Sequence, residues 1–145
     1  MLDFRHIVLL VEDNQDDEDL TLRAIQDCGV PCQVDVVRHG GEVVGRILGP
    51  AGSIPALVIL DYHLPGLSGV EVLRELRRDP STRDLPIVML SGLSSDEDLR
   101  DCLNEGANSC VQKPMDVNRY LDHVGQIVRY WLTVDRRPEP TGSIG

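Results

Sequence analysis

With 145 residues, the chain is long enough for one domain with a buried core, and its hydrophobic fraction of 41% is ordinary for a globular protein. The formal net charge of −10 argues against a nucleic-acid surface, because binding the phosphate backbone requires clustered Lys and Arg. No charged leader precedes an apolar segment, and no window approaches the roughly 20 apolar residues of a membrane span. We therefore expect a cytoplasmic protein that binds neither nucleic acid nor membrane.

The first apolar run, His6–Val11, predicts a strand that ends directly in Glu12 and Asp13. A helix is predicted next, over residues 16–28, with Gly29 placed to stop it. Its first turn carries the acidic run of residues 16–19. Acidic residues are favoured at helix N-termini, so we interpret this run as charge that complements the helix dipole and faces solvent.

Gln33–Val37 alternates in polarity and predicts a second strand, and Gly40–Leu48 predicts a short helix interrupted by glycine. Leu57–Asp61 is a third apolar run, bounded by Pro55 before it and by Pro65-Gly66 after it. A run of this kind is typical of a central strand that is buried on both faces. Asp61 is therefore expected at the carboxyl end of a central strand.

The second half of the chain repeats this alternation. Helices are predicted at Gly69–Asp79 and Asp96–Glu105, and a last helix begins near Asp116. Strands are predicted at Pro86–Leu90 and at Ser109–Gln112.

Five strands that alternate with five helices predict an α/β fold, a doubly wound parallel sheet built from βαβ units. We expect one domain over residues 5–132. The pattern ends after it, so residues 133–145 are predicted to be a disordered tail, and no output domain is expected.

Four predicted strands end in residues suited to chemistry, which are Glu12-Asp13, Asp61, Ser91 and Lys113. In a doubly wound sheet these ends meet in one crevice at the carboxyl edge. Three carboxylates there would repel one another without a cation, and oxygen ligands favour Mg²⁺. Asp61 would then attack a phosphoryl donor, while the hydroxyl and the ammonium contact the phosphoryl oxygens. The main-chain carbonyl of His63 is a candidate further metal ligand.

These motifs, in this order, resemble the receiver domain of two-component response regulators over residues 5 to about 130. The residues that carry the resemblance are Val11-Glu12-Asp13, Asp61 with Pro65-Gly66 and Gly69, Ser91-Gly92, and Lys113-Pro114. The resemblance implies a flavodoxin-like fold with strand order 2-1-3-4-5. It also implies Mg²⁺ binding by Glu12 and Asp13, acceptance of phosphate from a histidine kinase by Asp61, and contacts of Ser91 and Lys113 with that phosphate.

One position departs from the family pattern. Receivers commonly carry a Tyr or Phe three residues before the lysine, and this chain has Cys110. A thiol cannot sweep the volume of an aromatic ring, so we expect the signal to pass mainly through Ser91 and the loop that follows it. The resemblance also implies a cis peptide bond before Pro114.

Two other functions use similar residues. An Asp-nucleophile phosphohydrolase would also need Mg²⁺ and a lysine, but it usually carries a second acid two residues after the nucleophile, where this chain has His63. A phosphorylation-independent scaffold is the second alternative, although degenerate receivers typically lose an acid or the lysine. We therefore expect a phosphoacceptor switch rather than an enzyme, with at most self-phosphotransfer and slow autodephosphorylation.

The cysteines give a separate metal hypothesis. Cys28, Cys32, Cys102 and Cys110 have no paired C-x-x-C spacing, so reduced, partly buried thiols are expected. A zinc site from Cys28 and Cys32 stays open as an alternative, although no second pair of ligands is evident.

The last helix carries a broad apolar surface of about 160°, wider than the roughly 100° that one buried face needs. We predict that it forms a symmetric homodimer, although deep packing in a single chain is the alternative. The stripe consists of Val117, Tyr120, Val124, Ile127, Trp131 and Val134, widened by Leu121, Val128 and Leu132.

A more specific resemblance involves three segments. They are Asp61-Tyr62-His63-Leu64-Pro65-Gly66, Gly106-Ala107-Asn108-Ser109-Cys110 and Tyr130-Trp131-Leu132. Together they are similar to small single-domain response regulators that partner phytochrome-type histidine kinases. The resemblance implies a kinase of that type as the partner.

Overall fold

The computed structural model describes residues 6–92 and 95–134, and a five-stranded parallel sheet forms its centre. The strands are β1 (Ile7–Val11), β2 (Gln33–Val37), β3 (Leu57–Asp61), β4 (Ile87–Ser91) and β5 (Ser109–Gln112). Their order is β2-β1-β3-β4-β5, and neighbouring strands run parallel. The predicted doubly wound sheet of order 2-1-3-4-5 is confirmed.

In the described part of the chain, four helices connect consecutive strands, and a fifth helix follows the last strand. They are α1 (Gln15–Asp27), α2 (Gly40–Leu48), α3 (Gly69–Arg78), α4 (Asp96–Asn104) and α5 (Val117–Arg129), with a 3₁₀ turn at Pro80–Thr82. The predicted boundaries differ from these by about one residue at several ends, because a capping side chain rather than hydrophobic periodicity determines where a helix starts. Asn14, for example, accepts the N–H of Asp17 and begins α1.

The core has two parts, one on each face of the sheet. On one face, Val72 and Leu73 of α3 pack with residues of α2 and α4 against the strands. On the other face, Ile25 of α1 packs with Val124 and Val128 of α5. Because both faces are covered, β1, β3 and β4 are buried along their whole length, which explains their continuous apolar sequences.

Much of the apolar stripe of the last helix is buried in the core of its own chain. Tyr120 and Val124 are buried there, so the prediction that they form a dimer interface is corrected. Ile127 and Trp131 are partly buried at the edge of the same cluster, and Val117 is exposed. The stripe is wide because α5 packs on the sheet and on α1 together, so a broader face than usual is covered within one chain.

After α5 the chain continues in a π-helical turn at Tyr130–Val134. Thr133 and Val134, the first two residues of the predicted disordered tail, belong to this turn. The remaining residues of that tail, 135–145, lie outside the described part of the chain. Within residues 6–92 and 95–134, no helix combines the length and the apolar character that a membrane crossing requires.

The peptide bond before Pro114 is trans, since residues 6–92 and 95–134 contain no cis peptide bond. The cis bond implied by the family resemblance is therefore wrong for this structure. For an X–Pro bond the trans form is favoured by only about 0.5–1 kcal/mol, so sequence alone does not determine the isomer.

Arg77 joins three segments at the amino-terminal side of the sheet. Its guanidinium donates to the main-chain oxygens of Thr82 at 2.9 Å, Arg83 at 3.0 Å and Gly106 at 2.9 Å. It also donates to Oδ1 of Asn108 at 2.9 Å, and the same oxygen accepts the N–H of Ile87. These bonds hold the 3₁₀ turn and the α4–β5 connection against α3.

We expect Arg77→Met to lower the free energy of unfolding by about 2–3 kcal/mol, because several charge-assisted hydrogen bonds are lost and two partly buried carbonyls lose their donor. Arg78→Met is the matched control. Arg78 lies next in sequence and contacts only exposed Glu75 among the ion pairs described, so its loss should change stability by less than about 0.5 kcal/mol. Urea denaturation of both variants measures the difference, and equal stabilities would contradict the role of Arg77.

Candidate functional site

The sheet register brings the predicted strand-end residues to one edge. Val11 of β1 pairs with Leu60 of β3, so Glu12 and Asp61 follow at the same level. Asp61 pairs with Leu90 of β4, and Ser91 of β4 pairs with Gln112 of β5. Ser91 therefore lies one residue further along the same edge than Asp61, and Lys113 lies one residue beyond Ser91. The parallel arrangement alone assembles these side chains from four distant parts of the sequence.

Asp61 is the last residue of β3, directly before the turn that leads to α3. Its side chain is 9% exposed, and its Oδ1 accepts the main-chain N–H of His63 at 3.2 Å. Gly69, the first residue of α3, lies directly against this turn. A Cβ at that position would meet the main-chain oxygen of Asp61 at 2.6 Å, which is too close for any side chain. Glycine is thus required for α3 to start this near to Asp61.

Glu12, Asp13 and Asp61 form an acidic cluster at the centre of the edge. Each can offer one carboxylate oxygen such that the three oxygens lie within 4.8 Å of one another. Glu12 and Asp61 are buried, while Asp13 is exposed. Hard oxygen ligands at this spacing, open to solvent on one side, suit Mg²⁺, which keeps several waters in its coordination shell. The donor set therefore fits the predicted cation.

The zinc alternative gains no support from the described residues. The metal-type cluster found in residues 6–92 and 95–134 consists of the three carboxylates and includes no cysteine. Cys28 and Cys32, together with Cys102 and Cys110, are free thiols.

Lys113, the residue after β5, faces the acidic cluster. Its Nζ donates to Glu12 Oε1 at 2.8 Å, to Asp17 Oδ2 at 2.9 Å and to Asp61 Oδ2 at 3.4 Å. Its main-chain N–H donates to the carbonyl of Ser91 at 2.7 Å, which ties β5 to β4 at the site. Lys113 is also the one lysine of the chain, and its compact ammonium can serve several carboxylates at once.

The buried carboxylate of Glu12 is forced partly toward its protonated form. Burial, followed by the neighbouring Asp61 carboxylate, raises the pKa of Glu12 to about 8, although Lys113 acts in the opposite direction. Burial lowers the pKa of Lys113, but its hydrogen bonds to Glu12 and Asp17 and the charge of Asp61 outweigh that effect and raise it. The site therefore holds more negative charge than one lysine balances.

We expect the metal-free protein to lose stability as the pH rises toward and through about 8. The pKa of Glu12 is raised above its ordinary value of 4.5 on folding, so the folded state binds the proton more tightly. The stabilising contribution of proton binding by Glu12 is complete below about pH 4.5 and is lost as the pH rises through the pKa of Glu12 in the folded state. Urea denaturation in EDTA across this range measures the loss.

Glu12→Gln serves as the control for this pH dependence, because an amide stays neutral throughout. The variant should show a flatter pH profile in the same window, and Mg²⁺ should flatten the profile of the wild type by displacing the proton. Identical profiles for wild type and Glu12→Gln would contradict the assignment to Glu12.

Two acids of the first turn of α1 do not behave as predicted. Asp17 bonds to Lys113, and Glu18 is buried and pairs with Arg38 at 2.9 Å. The interpretation of this run as solvent-facing charge is wrong for Glu18, and Asp17 stays partly exposed but is bound to Lys113. A signal was present in the sequence, because Asp17 lies one helical turn before Thr21, which is on the buried face with Ala24.

Ser91 and Cys110 lie where the sequence places them. Ser91 is buried at the end of β4, and Cys110 is half-buried in β5 against the core face that includes Cys102. Burial, with the nearby thiol of Cys102, raises the pKa of Cys110 to about 12, so it stays a neutral thiol. Two residues of the loop after Ser91, at positions 93 and 94, lie outside the described part of the chain.

A cleft of about 580 Å³ opens beside the acidic cluster. Asp13 lines it together with Tyr62, His63 and Arg74. The His63 ring stands edge-on to Tyr62, with ring centroids 4.8 Å apart, and the Tyr62 hydroxyl donates to Asp98 of α4 at 3.3 Å. The cleft borders the acidic cluster at Asp13, and Asp61 is not among the residues that line it. That the His63 carbonyl binds the metal stays a prediction.

Comparison with known proteins identifies the family. The sequence model of the response regulator receiver domain family matches residues 8–125 of the chain. The chain belongs to the response regulator receiver family. Receiver domains bind Mg²⁺ at an acidic pocket, act as phosphoacceptor switches rather than classical enzymes, and have histidine kinases as partners.

Among curated relatives, the receiver is 34% identical over 137 residues to the probable methanogenesis regulatory protein FilR2 of Methanothrix harundinacea, covering 92% of this chain and 88% of FilR2. Longer relatives also match, among them PleD of Caulobacter vibrioides, of which the receiver covers 21%, and RpaA of Synechocystis, of which it covers 52%.

Two solved structures come from phytochrome systems. The phosphorylated cyanobacterial phytochrome response regulator RcpA is 29% identical with a TM-score of 0.86, covering 93% of this chain and 99% of RcpA. The bacteriophytochrome response regulator AtBRR is 32% identical with a TM-score of 0.68, covering 92% of this chain and 96% of AtBRR.

Proposed function

We propose that this receiver is a two-component response regulator that accepts a phosphoryl group from a sensor histidine kinase onto Asp61 in a Mg²⁺-dependent reaction. The observation that carries the proposal is the surroundings of Asp61. Its carboxylate shares a cluster within 4.8 Å with Glu12 and Asp13, and Lys113 Nζ lies 3.4 Å from its Oδ2. A nucleophile, a cation site and a counter-ion for the phosphate thus lie together.

In the proposed reaction, a carboxylate oxygen of Asp61 attacks the phosphorus of a phosphohistidine. The new P–O bond forms as the P–N bond breaks, and the leaving imidazole takes up a proton. Bound Mg²⁺ would neutralise negative charge on the phosphoryl oxygens. Lys113 is positioned to donate to a phosphoryl oxygen, and the Ser91 hydroxyl is proposed to contact another.

The hydrolase alternative requires a positioned acid or base two residues after Asp61. His63 stands there, with its ring against Tyr62 and its main-chain N–H on Asp61. We therefore propose slow autodephosphorylation rather than catalytic turnover. The scaffold alternative would not need the intact set of acids and lysine.

Incubation with acetyl phosphate and Mg²⁺ tests the proposal. We expect about one acid-labile phosphate per chain by intact-mass spectrometry, and none when EDTA replaces Mg²⁺. Continuous release of phosphate at many turnovers per minute would support the hydrolase, and a protein that stays unlabelled would support the scaffold.

For the kinase, we propose a phytochrome-type partner. The support is the similarity to RcpA and to AtBRR, whose names associate them with phytochromes. The same proposal places the protein in the cytoplasm, where a kinase has access to ATP. Phosphotransfer from a phytochrome-type kinase should be faster than from an unrelated histidine kinase at equal concentrations.

For signal output, we propose that phosphorylation acts through protein–protein contacts after movement of Ser91 and the loop behind it. Cys110 supports this route, since the small thiol is packed beside Cys102 and has no ring to move. Unchanged backbone chemical shifts at Gly92 after phosphorylation would contradict it.

We also propose a symmetric homodimer through the C-terminal end of α5 and the π-helical turn. Tyr120 and Val124 are buried in the core. The remaining apolar surface consists of the exposed Tyr130 and Val134 and the partly buried Ile127 and Trp131. Aromatic and aliphatic side chains at a helix end are typical of interface cores.

Tyr130→Lys combined with Val134→Lys should shift the protein to monomer in sedimentation velocity at high micromolar concentration, because charge is introduced into the centre of the proposed interface. Leu103→Lys on α4 is the control, since Leu103 is a similarly exposed apolar side chain away from this surface. A wild type that sediments as a monomer, with and without phosphorylation, would contradict the dimer.

A further inference from the structure

Asp17 contributes a carboxylate to the site from a different element than the other acids. It lies in the first turn of α1, and its Oδ2 accepts a hydrogen bond from Lys113 Nζ at 2.9 Å, closer than the 3.4 Å between that nitrogen and Asp61. We infer that Asp17 is a positioning residue that holds the Lys113 ammonium on the α1 side of the site while a divalent cation occupies the carboxylates of Glu12, Asp13 and Asp61.

The position of Asp17 is fixed by its main chain. Its N–H donates to the Asn14 side chain at 3.0 Å, and its carbonyl accepts the Thr21 hydroxyl at 2.7 Å. That hydroxyl also shares a buried 2.7 Å hydrogen bond with the phenol of Tyr120 on α5. The first turn of α1 is therefore anchored on the helix cap and on α5, so the carboxylate projects toward Lys113 from a rigid base.

Charge explains why such an anchor matters. Without it, the ammonium would bond to Glu12 and Asp61 alone, which are two of the three proposed cation ligands. A lysine and a divalent cation would then compete for the same oxygens, and their positive charges would repel each other. Asp17 offers Lys113 a third partner that lies outside the cluster of carboxylates available to the cation.

The partners also differ in solvent access. The Asp17 side chain is 34% exposed, whereas that of Glu12 is 2% exposed. A cation that enters can thus displace the ammonium from the buried acid toward a carboxylate that water still reaches. The lysine stays beside Asp61, where the proposed phosphoryl group needs it, without blocking the metal ligands.

The inference rests on the proposed Mg²⁺-dependent function, and its test is a binding measurement. Titration of the metal-free protein with Mg²⁺, followed by backbone amide signals in NMR, gives the dissociation constant. Asp17→Asn should weaken Mg²⁺ binding about tenfold, the size typical for losing a group that orients a metal site from its second coordination layer. Asp17→Glu, which keeps the carboxylate, should restore binding to within about threefold.

Asp16→Asn is the matched control for charge. It removes the same charge from the neighbouring exposed position of α1 and should change the affinity by less than about twofold. In a Lys113→Met background, Asp17→Asn should have no more effect than Asp16→Asn, because no ammonium remains to be held. Lys113 is the one lysine, so ¹⁵N-lysine labelling also gives a side-chain signal that should move in Asp17→Asn and not in Asp16→Asn.

The outcomes separate the two proposals. If the wild type binds no Mg²⁺, both the proposed function and the role of Asp17 are overturned. If the wild type binds Mg²⁺ and Asp17→Asn behaves like Asp16→Asn, the role of Asp17 alone is overturned. An equal effect of Asp17→Asn with and without Lys113 would show that Asp17 acts by its charge on the cation, which also overturns it.

Discussion

Asp61→Asn is expected to abolish phosphate uptake from acetyl phosphate while the protein stays folded. The amide keeps the size of the carboxylate and can still accept the N–H of His63, but it has no anionic oxygen with which to attack phosphorus. We expect incorporation at least about 100-fold below that of the wild type, because no other group takes over the attack. Intact-mass spectrometry and acid-labile phosphate release measure it.

The stability of this variant follows from the charges around it. Lys113 keeps Glu12 and Asp17 as partners after the substitution, and one of the crowded carboxylates is removed. The fold should therefore survive, so a loss of labelling reports chemistry. Asp122→Asn, on the exposed side of α5, is the control and should label like the wild type. Labelling of Asp61→Asn at wild-type stoichiometry would identify a different acceptor.

Lys113→Met is expected to lower the free energy of unfolding of the metal-free protein by about 3 kcal/mol at alkaline pH. Removing one partner of a buried ionic cluster leaves the remaining charges uncompensated, and such changes are strongly destabilising. Here Glu12 and Asp61 would lose the ammonium that lies 2.8 Å and 3.4 Å from their oxygens. Urea denaturation in EDTA measures the loss.

The pH and the cation should both modify this loss. Below about pH 8 the Glu12 carboxyl can take up a proton and relieve part of the repulsion, so the loss should shrink toward acid pH. Millimolar Mg²⁺ should restore most of the stability at alkaline pH, because it replaces the missing positive charge. Lys113→Arg keeps the charge and should lose less. Equal stability of wild type and Lys113→Met in EDTA would contradict the electrostatic role of the lysine.

The fold could be predicted from sequence because its strands are short, continuously apolar and separated by helical patterns. Leu57–Asp61 illustrates this, since β3 has the predicted bounds and is buried throughout. The differences are shifted element ends, such as α4, which ends at Asn104 rather than Glu105, and two short turns that were not predicted, at Pro80–Thr82 and Tyr130–Val134. Local capping and turn hydrogen bonds decide such ends, and periodicity does not describe them.

The candidate site was predictable to the extent that its residues follow strands. Asp61, Ser91 and Lys113 lie at strand ends, and parallel pairing brings strand ends together. Asp17 lies on a helix instead, and its partner Lys113 is 96 residues away. An acidic helix start is also consistent with solvent exposure, and the packing of α1 against α5, the helix that follows Lys113, brings the two residues together.

The sequence by itself determined the order of elements, their parallel βαβ arrangement and the carboxylates that follow its strands, because apolar strands that alternate with helices are local patterns, while the strand order came from the family resemblance. Tertiary structure alone decided how α5 distributes its apolar stripe, with Tyr120 and Val124 inside and Tyr130 and Val134 outside. It also decided that Lys113 bonds to Asp17. The physical reason is the same in both cases: periodicity defines the faces of a helix, but only packing against particular neighbours determines which face is buried and which charges meet.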